Sequence, residues 1–243
     1  MAPSAPIPLS SLANRLGLDT PSLVSLVGGG GKTTLLHALA AQLPGSVLAT
    51  TTTKMSSDQT EGMTVLLDPS NEELGRSLDD GQPILAWRRI DGTKAIGFDA
   101  VRVGSWIGIA DHVIVEADGS RRRPFKAPGP LEPAVPDATT DLVSVIGVDA
   151  IGRVILDQCH RPLRVAGLAG CQPGERLSPV RAATVLLHPD GMRRALPDRA
   201  RFHIVITKVE DTTDSVARGL AGALEAIEPA VNVVLVLDAG SSG

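Results

Sequence analysis

Four consecutive glycines, Gly28, Gly29, Gly30 and Gly31, followed by Lys32, Thr33 and Thr34, are the residues of this chain best suited to hold a polyanion. Glycines let successive backbone N–H groups turn toward one ligand without Cβ clashes, and the start of a following helix adds partial positive charge. In a loop of this kind Lys32 reaches the β- and γ-phosphates of a nucleotide and the Thr33 hydroxyl sits on Mg²⁺. The usual P-loop pattern has a further glycine six positions before the lysine, where this chain has Leu26. A bare turn into an amphipathic helix has no use for four glycines, each entropically costly, ahead of Lys-Thr.

Two carboxylates come next in chemical interest. Glu116 and Asp118 follow the apolar run Val113-Ile114-Val115. At a strand's period of two they point to the same side, roughly 7 Å apart. One can hold Mg²⁺, directly or through water, while the other orients a nucleophile or a second substrate. Glu116, directly after the run, is the expected Walker-B acid, and the alternative is a pair of solvated residues opening a loop.

The stretch from Ser120 to Pro136 then carries Arg121, Arg122, Arg123 and Lys126 among several prolines. Proline removes backbone donors, so an ordered loop is expected there, and its guanidinium groups could clamp an anionic second substrate. A solvated basic loop is the alternative. Thr51, Thr52, Thr53 and Lys54 directly follow a second strand, Ser46 to Thr50, where loops that sense Mg²⁺ and γ-phosphate sit. Thr53 and Lys54 are therefore counted with the second-substrate residues, although threonines at a strand end also reflect β-propensity. Thr207-Lys208-Val209-Glu210 resembles the NKxD base-recognition motif with Thr for Asn and Glu for Asp. Lys208 could lay its stem along a purine, leaving ATP and GTP both open. Cys159 and His160 adjoin, but sequence neighbours diverge unless the backbone turns them together, so a structural role is expected.

The elements that must position these groups alternate. Leu23 to Val27 reads as a strand, and Leu35, Leu36, Leu39 and Leu43 as a helix. His112 to Val115, Leu142 to Ile146, Phe202 to Thr207 and Val231 to Leu237 are further strands, and Ser178 to Leu187 and Thr213 to Ile227 are helices. Met63 to Leu67, Ser70 to Leu78, Ile84 to Trp87 and Ala95 to Phe98 read as elaboration of the sheet edge. A short helix is expected around Ser11 to Leu16. The fold class is an α/β P-loop three-layer sandwich with a mainly parallel central sheet, one domain over 1–243, with a leader at 1–21 and a small polar tail at 239–243.

With 23 basic and 27 acidic residues the net charge is −4, which gives no reason to expect general affinity for nucleic acid or anionic membrane. Two cysteines without metal-ligand spacing make neither a disulfide framework nor a zinc site and suit the cytoplasm. The first residues lack a signal-peptide pattern, and no segment is long and apolar enough to span a bilayer.

Together VGGGGKTT, ATTTTKM, VIVEADGSRRRPFKAPGPLEPAVP, IGVDAIG, CHRP and TKVED resemble the YqeC-type family of selenium-dependent molybdenum hydroxylase accessory proteins, over residues 22 to 211. The resemblance implies a cytoplasmic P-loop protein, using ATP or GTP with Mg²⁺, that helps mature a molybdenum hydroxylase or its cofactor. The loop is also similar to that of the SIMIBI class, which includes signal-recognition GTPases, MinD-like ATPases and dethiobiotin synthetase. Val27 stands where MinD-like members carry a second lysine, which speaks against dimerisation through such a lysine and leaves the oligomeric state open. Glu116-Ala117-Asp118-Gly119 is similar to the acidic segment of dethiobiotin synthetase, which uses ATP to activate a small molecule. Two activities follow from these likenesses: nucleotide hydrolysis while docked to a client enzyme, and phosphoryl transfer or ligation on an anionic cofactor precursor; a nucleotide-gated binding scaffold with negligible turnover is the non-enzyme alternative.

Overall fold

Apolar runs covered on both faces become the strands of a parallel sheet. In the computed structural model, which describes residues 5–18 and 21–238, the strands in chain order are Ser22–Gly28 (β1), Val47–Thr51 (β2), Lys54–Ser56 (β3), Thr64–Leu67 (β4), Ile84–Trp87 (β5), Arg89–Asp91 (β6) and Lys94–Ile96 (β7). They continue with His112–Glu116 (β8), Phe125–Lys126 (β9), Asp141–Gly147 (β10), Cys159–His160 (β11), Arg201–Val209 (β12) and Asn232–Leu237 (β13). The helices are Leu12–Leu16 (α1), Lys32–Gln42 (α2), Asn71–Leu78 (α3), Ala100–Gly104 (α4), Ile155–Gln158 (α5), Pro162–Ala169 (α6), Pro179–Leu187 (α7) and Asp214–Ile227 (α8). The tail at 239–243 and the first four residues of the leader lie outside the described residues.

Eight strands form one sheet in the order β13-β12-β10-β1-β8-β2-β5-β4, and every neighbouring pair in it is parallel. The expected edge elaboration divides in two. β5 and β4 do extend the sheet, whereas Lys94–Ile96 pairs antiparallel with β3 and β6 in a separate three-stranded sheet. The leader joins the opposite edge, with Ile7 bridged to Val236 beside β13.

Alternation along each strand sends side chains to two cores. Val24 and Leu26 of β1, Ile114 of β8 and Val143 of β10 pack with α1 and with Leu35, Leu36 and Leu39 of α2. Leu23, Val27, Val113, Leu142 and Ile206 face the other way, against α3, α4, α6, α7 and α8. The result is a three-layer sandwich with β1 at the middle of the sheet. Helix starts are written locally: Ser70 and Glu73 form a reciprocal capping box for α3, and Ser178 caps α7 ahead of Pro179.

At the amino end of β10 the buried Asp141 carboxylate receives Arg201 Nε at 2.7 Å, His203 Nε2 at 2.8 Å and the Thr140 hydroxyl at 2.8 Å, tying β10 to β12. Burial alone would raise this carboxyl, but these bonds outweigh it and hold it below the ordinary aspartate range. A depressed carboxylate contributes stability that is present above its unfolded pKa and lost as pH falls through the folded one. The melting temperature is therefore expected to fall on acidification below about pH 4, more steeply than in Asp141→Asn, and parallel pH–melting profiles of the two proteins would contradict this.

Candidate functional site

The glycine loop leaves β1 at the carboxyl edge of the sheet, between β8 and β10, and enters α2 at Lys32. Its path leaves no room for a side chain at Gly28, Gly29 or Gly30, where a Cβ would fall within 2.3 Å of neighbouring backbone. Gly30 sits at φ 84°, and a Cβ there would lie 2.2 Å from the Gly147 amide nitrogen, so the loop rests on the end of β10. The Thr207 hydroxyl donates to the Gly30 carbonyl, with the Ile146 carbonyl 3.2 Å away, pinning the loop to β12 as well. Leu26, where the usual pattern has glycine, is still within β1 and fully buried in the core, so the turn begins at Gly28.

Lys32, Thr33, Glu116 and Asp118 meet beneath this loop. Lys32 Nζ donates to the Gly28 carbonyl at 2.7 Å and lies 3.2 Å from Asp118 Oδ1 and 3.7 Å from Glu116 Oε1. The Thr33 hydroxyl donates to Glu116 Oε2 at 2.8 Å. The two acids thus share a lysine but differ in surroundings. Asp118, with a side chain 0% exposed, accepts the Gly28 N–H at 3.1 and 3.0 Å and faces Lys126 Nζ at 3.1 Å. Glu116 opens onto a cleft, and burial, only partly offset by Lys32 and Thr33, pushes its carboxyl above the ordinary range. Thr33 and Glu116 offer hard oxygen donors side by side at the head of α2, a set that fits Mg²⁺ completed by phosphate and water oxygens.

The cleft encloses about 720 Å³ and runs from Gly30, Gly31, Lys32, Thr33 and Thr34 across to His160 and Arg161. Of the second-substrate residues expected from sequence, Thr53, Lys54, Arg121 and Arg122 line it. Arg123 and Lys126 do not. Arg123 turns to the Asp157 carbonyl, and Lys126, with a side chain 0% exposed, is held by Asp118, Glu132 at 2.8 Å and the Gly119 carbonyl at 2.7 Å. The threonines also divide: Thr50, Thr51 and Thr52 spend their hydroxyls on the carbonyls of Ala86, Glu116 and Ala134, while Thr53 faces the cleft. Lys208 lines the cleft and pairs with Asp149 at 2.8 Å. It also borders a smaller cavity of about 110 Å³ beside Gly30, Thr207, Leu35 and Val236, whereas Glu210 borders neither.

Arg121 and Arg122 occupy the left-handed region in succession, at φ 51° and 61°, in a turn closed by the Arg123 N–H to the Ser120 carbonyl at 3.0 Å. Glycine or asparagine suits such positions, and each arginine there costs about 1 to 2 kcal/mol of backbone strain. Cys159 and His160 do not form a reactive pair: Cys159 is buried, and burial pushes its thiol to about 12. Sequence reasoning missed Lys94, Glu132 and Arg161, all on the cleft. For Arg161 the signal was its place directly before Pro162, which starts α6 with Arg161 at a left-handed N-cap.

Residues 24–163 match the model of the YqeC protein family. The Escherichia coli (strain K12) protein YqeC is 30% identical over 220 residues, which cover 86% of this chain and 85% of that protein. Among solved structures, hydrogenase maturation factor HypB from Archaeoglobus fulgidus is similar at 13% identity with a TM-score of 0.40, over 94% of this chain and 87% of that one. Among the described residues, no helix is long and apolar enough to cross a membrane.

Proposed function

The chain belongs to the YqeC protein family, and from that premise we propose that it is a cytoplasmic P-loop accessory protein that uses Mg-ATP or Mg-GTP in maturing a selenium-dependent molybdenum hydroxylase or its cofactor. The observation that carries the nucleotide is the convergence of Lys32, Thr33 and Glu116 beneath the glycine loop at the middle of the parallel sheet, where open α/β sheets take their ligands. Gly28 to Thr34 supply amides for the phosphates, and Lys32 moves from the Gly28 carbonyl onto them. Thr33 and Glu116 would hold Mg²⁺, which neutralises charge on the β- and γ-oxygens. Asp118 keeps Lys32 and Gly28 in register. The small cavity between Thr207, Lys208, Leu35 and Val236 is the place for the base.

A second reading is favoured by the basic cleft: phosphoryl transfer or ligation on an anionic cofactor precursor held by Arg121, Arg122 and Lys54 near Thr53. Calorimetric titration with Mg-ATP and Mg-GTP tests the nucleotide, and failure to bind either overturns both readings. Turnover measured with a client hydroxylase or with a molybdopterin-like small molecule separates them, since each reading expects stimulation by one of the two.

Glu116→Gln is expected to leave the protein as stable or more stable at neutral pH, because a buried carboxylate whose ionisation is disfavoured is replaced by a neutral amide. The same change is expected to weaken the Mg²⁺ dependence of nucleotide binding about tenfold or more. A lower melting temperature together with unchanged Mg²⁺ dependence would remove Glu116 from the metal site.

A further inference from the structure

We propose that the end of the cleft built by Arg121, His160 and Arg161 is a second anion subsite, separate from the glycine loop, that takes the phosphate group of a small phosphomonoester. The proposal deepens the proposed function and rests on it for the nucleotide at the other end of the same cleft. Its own support is local.

Three segments converge there: the turn carrying Arg121, the strand β11 ending in His160, and the N-cap of α6 at Arg161. Arg161 is placed before any ligand arrives. Its Nη2 meets Glu132 Oε1 at 2.6 Å, and its guanidinium lies against Gly129, where a Cβ would come within 2.9 Å of Cζ. Its backbone is held left-handed at φ 59°, between the β11–β9 pairing and Pro162. A guanidinium fixed in this way presents its fork with little further loss of freedom, which suits bidentate recognition of a phosphate.

The charge balance is unfinished. Glu132 is shared, with its second oxygen 2.8 Å from the buried Lys126. Lys126 is matched in turn by Asp118 at 3.1 Å, so the surplus lies with the other cations that line the cleft. Arg121, Arg122, Lys54 and Lys94 line the same cleft, and among the described residues none of the four has a carboxylate within ion-pair distance. Burial, then the Lys126 and Arg161 cations, hold His160 below its ordinary pKa, so that a neutral imidazole completes the wall. An anion of two charges answers this surplus better than a single carboxylate.

The two ends of the cleft are linked but distinct. From Arg161 a chain of alternating charges runs through Glu132 (2.6 Å), Lys126 (2.8 Å), Asp118 (3.1 Å) and Lys32 (3.2 Å). A phosphate held by Arg161 shares that guanidinium with Glu132, and the change in charge reaches the lysine of the glycine loop through Lys126 and Asp118.

Calorimetric titration of the full chain with inorganic phosphate and with glycerol 3-phosphate tests the subsite in wild type, Lys32→Ala, Arg121→Gln and Arg161→Gln. Both probes are expected to bind wild type and Lys32→Ala, and to bind each arginine variant at least about tenfold more weakly. Tighter binding of the ester assigns an organic ligand and equal binding assigns free phosphate, and either supports the subsite. Binding lost in Lys32→Ala but kept in both arginine variants puts the phosphate on the glycine loop and overturns the proposal while sparing the nucleotide. Absence of binding to wild type overturns it as well. Melting curves identify a variant that has lost its fold; should Arg161→Gln do so, Arg121→Gln, which breaks no ion pair, decides. The nucleotide reading fails separately, through the wild-type titration with Mg-ATP and Mg-GTP.

Discussion

Lys32→Ala is expected to lose at least about 100-fold in affinity for Mg-nucleotide, corresponding to about 2.7 kcal/mol or more, while still folding. The size follows from what the ammonium supplies, two or more charge-assisted hydrogen bonds to phosphate oxygens in a site shielded from bulk water. The fold survives because each group the lysine leaves behind has another recourse. Asp118 keeps Lys126 and the Gly28 N–H. Glu116 keeps the Thr33 hydroxyl, and its carboxyl, already displaced upward by burial, takes a proton more readily once the cation is gone. Calorimetry with Mg-ATP and Mg-GTP, alongside a melting curve, checks both halves. Unchanged binding of both nucleotides by a folded variant would end the assignment of the glycine loop.

Asp118→Asn should do the opposite, damaging the fold first and binding only as a consequence. The carboxylate sits between two buried ammonium groups and takes an amide with both oxygens. With a neutral amide in its place, Lys126 has only Glu132 for a counter-ion, although its side chain is 0% exposed. Breaking a buried ion pair from one side costs about 3 to 5 kcal/mol. Urea denaturation should show a loss of that order. Adding Lys126→Met should recover part of it, since the stranded charge is then removed as well. A loss under about 1 kcal/mol in the single variant would mean that the network contributes far less than breaking a buried pair does.

The parts of this protein written in local chemistry were legible in the sequence. The glycines, Lys32 and the run of leucines after them announce strand, loop and helix at one place, and the apolar runs beginning at His112 and Leu142 announce strands buried on both faces. Glu116 and Asp118 could be read as a pair on one side of a strand, and both do reach Lys32. Their different surroundings could not be read, because these depend on Lys126, which strand β9 buries beneath the glycine loop. For the same reason Arg121, Arg122, Arg123 and Lys126 look alike as a basic run yet divide into two residues on the cleft and two turned from it. Arg161 and Glu132 are ordinary surface residue types until the fold sets them 2.6 Å apart. Ala95 to Phe98 reads as an extension of the sheet edge, yet the strand there, Lys94–Ile96, joins β3 and β6, because a three-residue strand has too short a pattern to name its partner.

The position of β1 also governs how the molecule comes into being. The middle strand is synthesised first, yet Ser22 finds His112 only 90 residues later and Leu23 finds Thr140 only 117 residues later. Until the ribosome has delivered both neighbours, this fully buried strand has two open edges and no parallel partner. Closing such distant pairings is entropically slow, and exposed strand edges invite association between chains in the interval. A nascent chain that reaches the end of β10 at Gly147 can assemble β1 with both of its neighbours, and the glycine loop between them takes shape at that same moment.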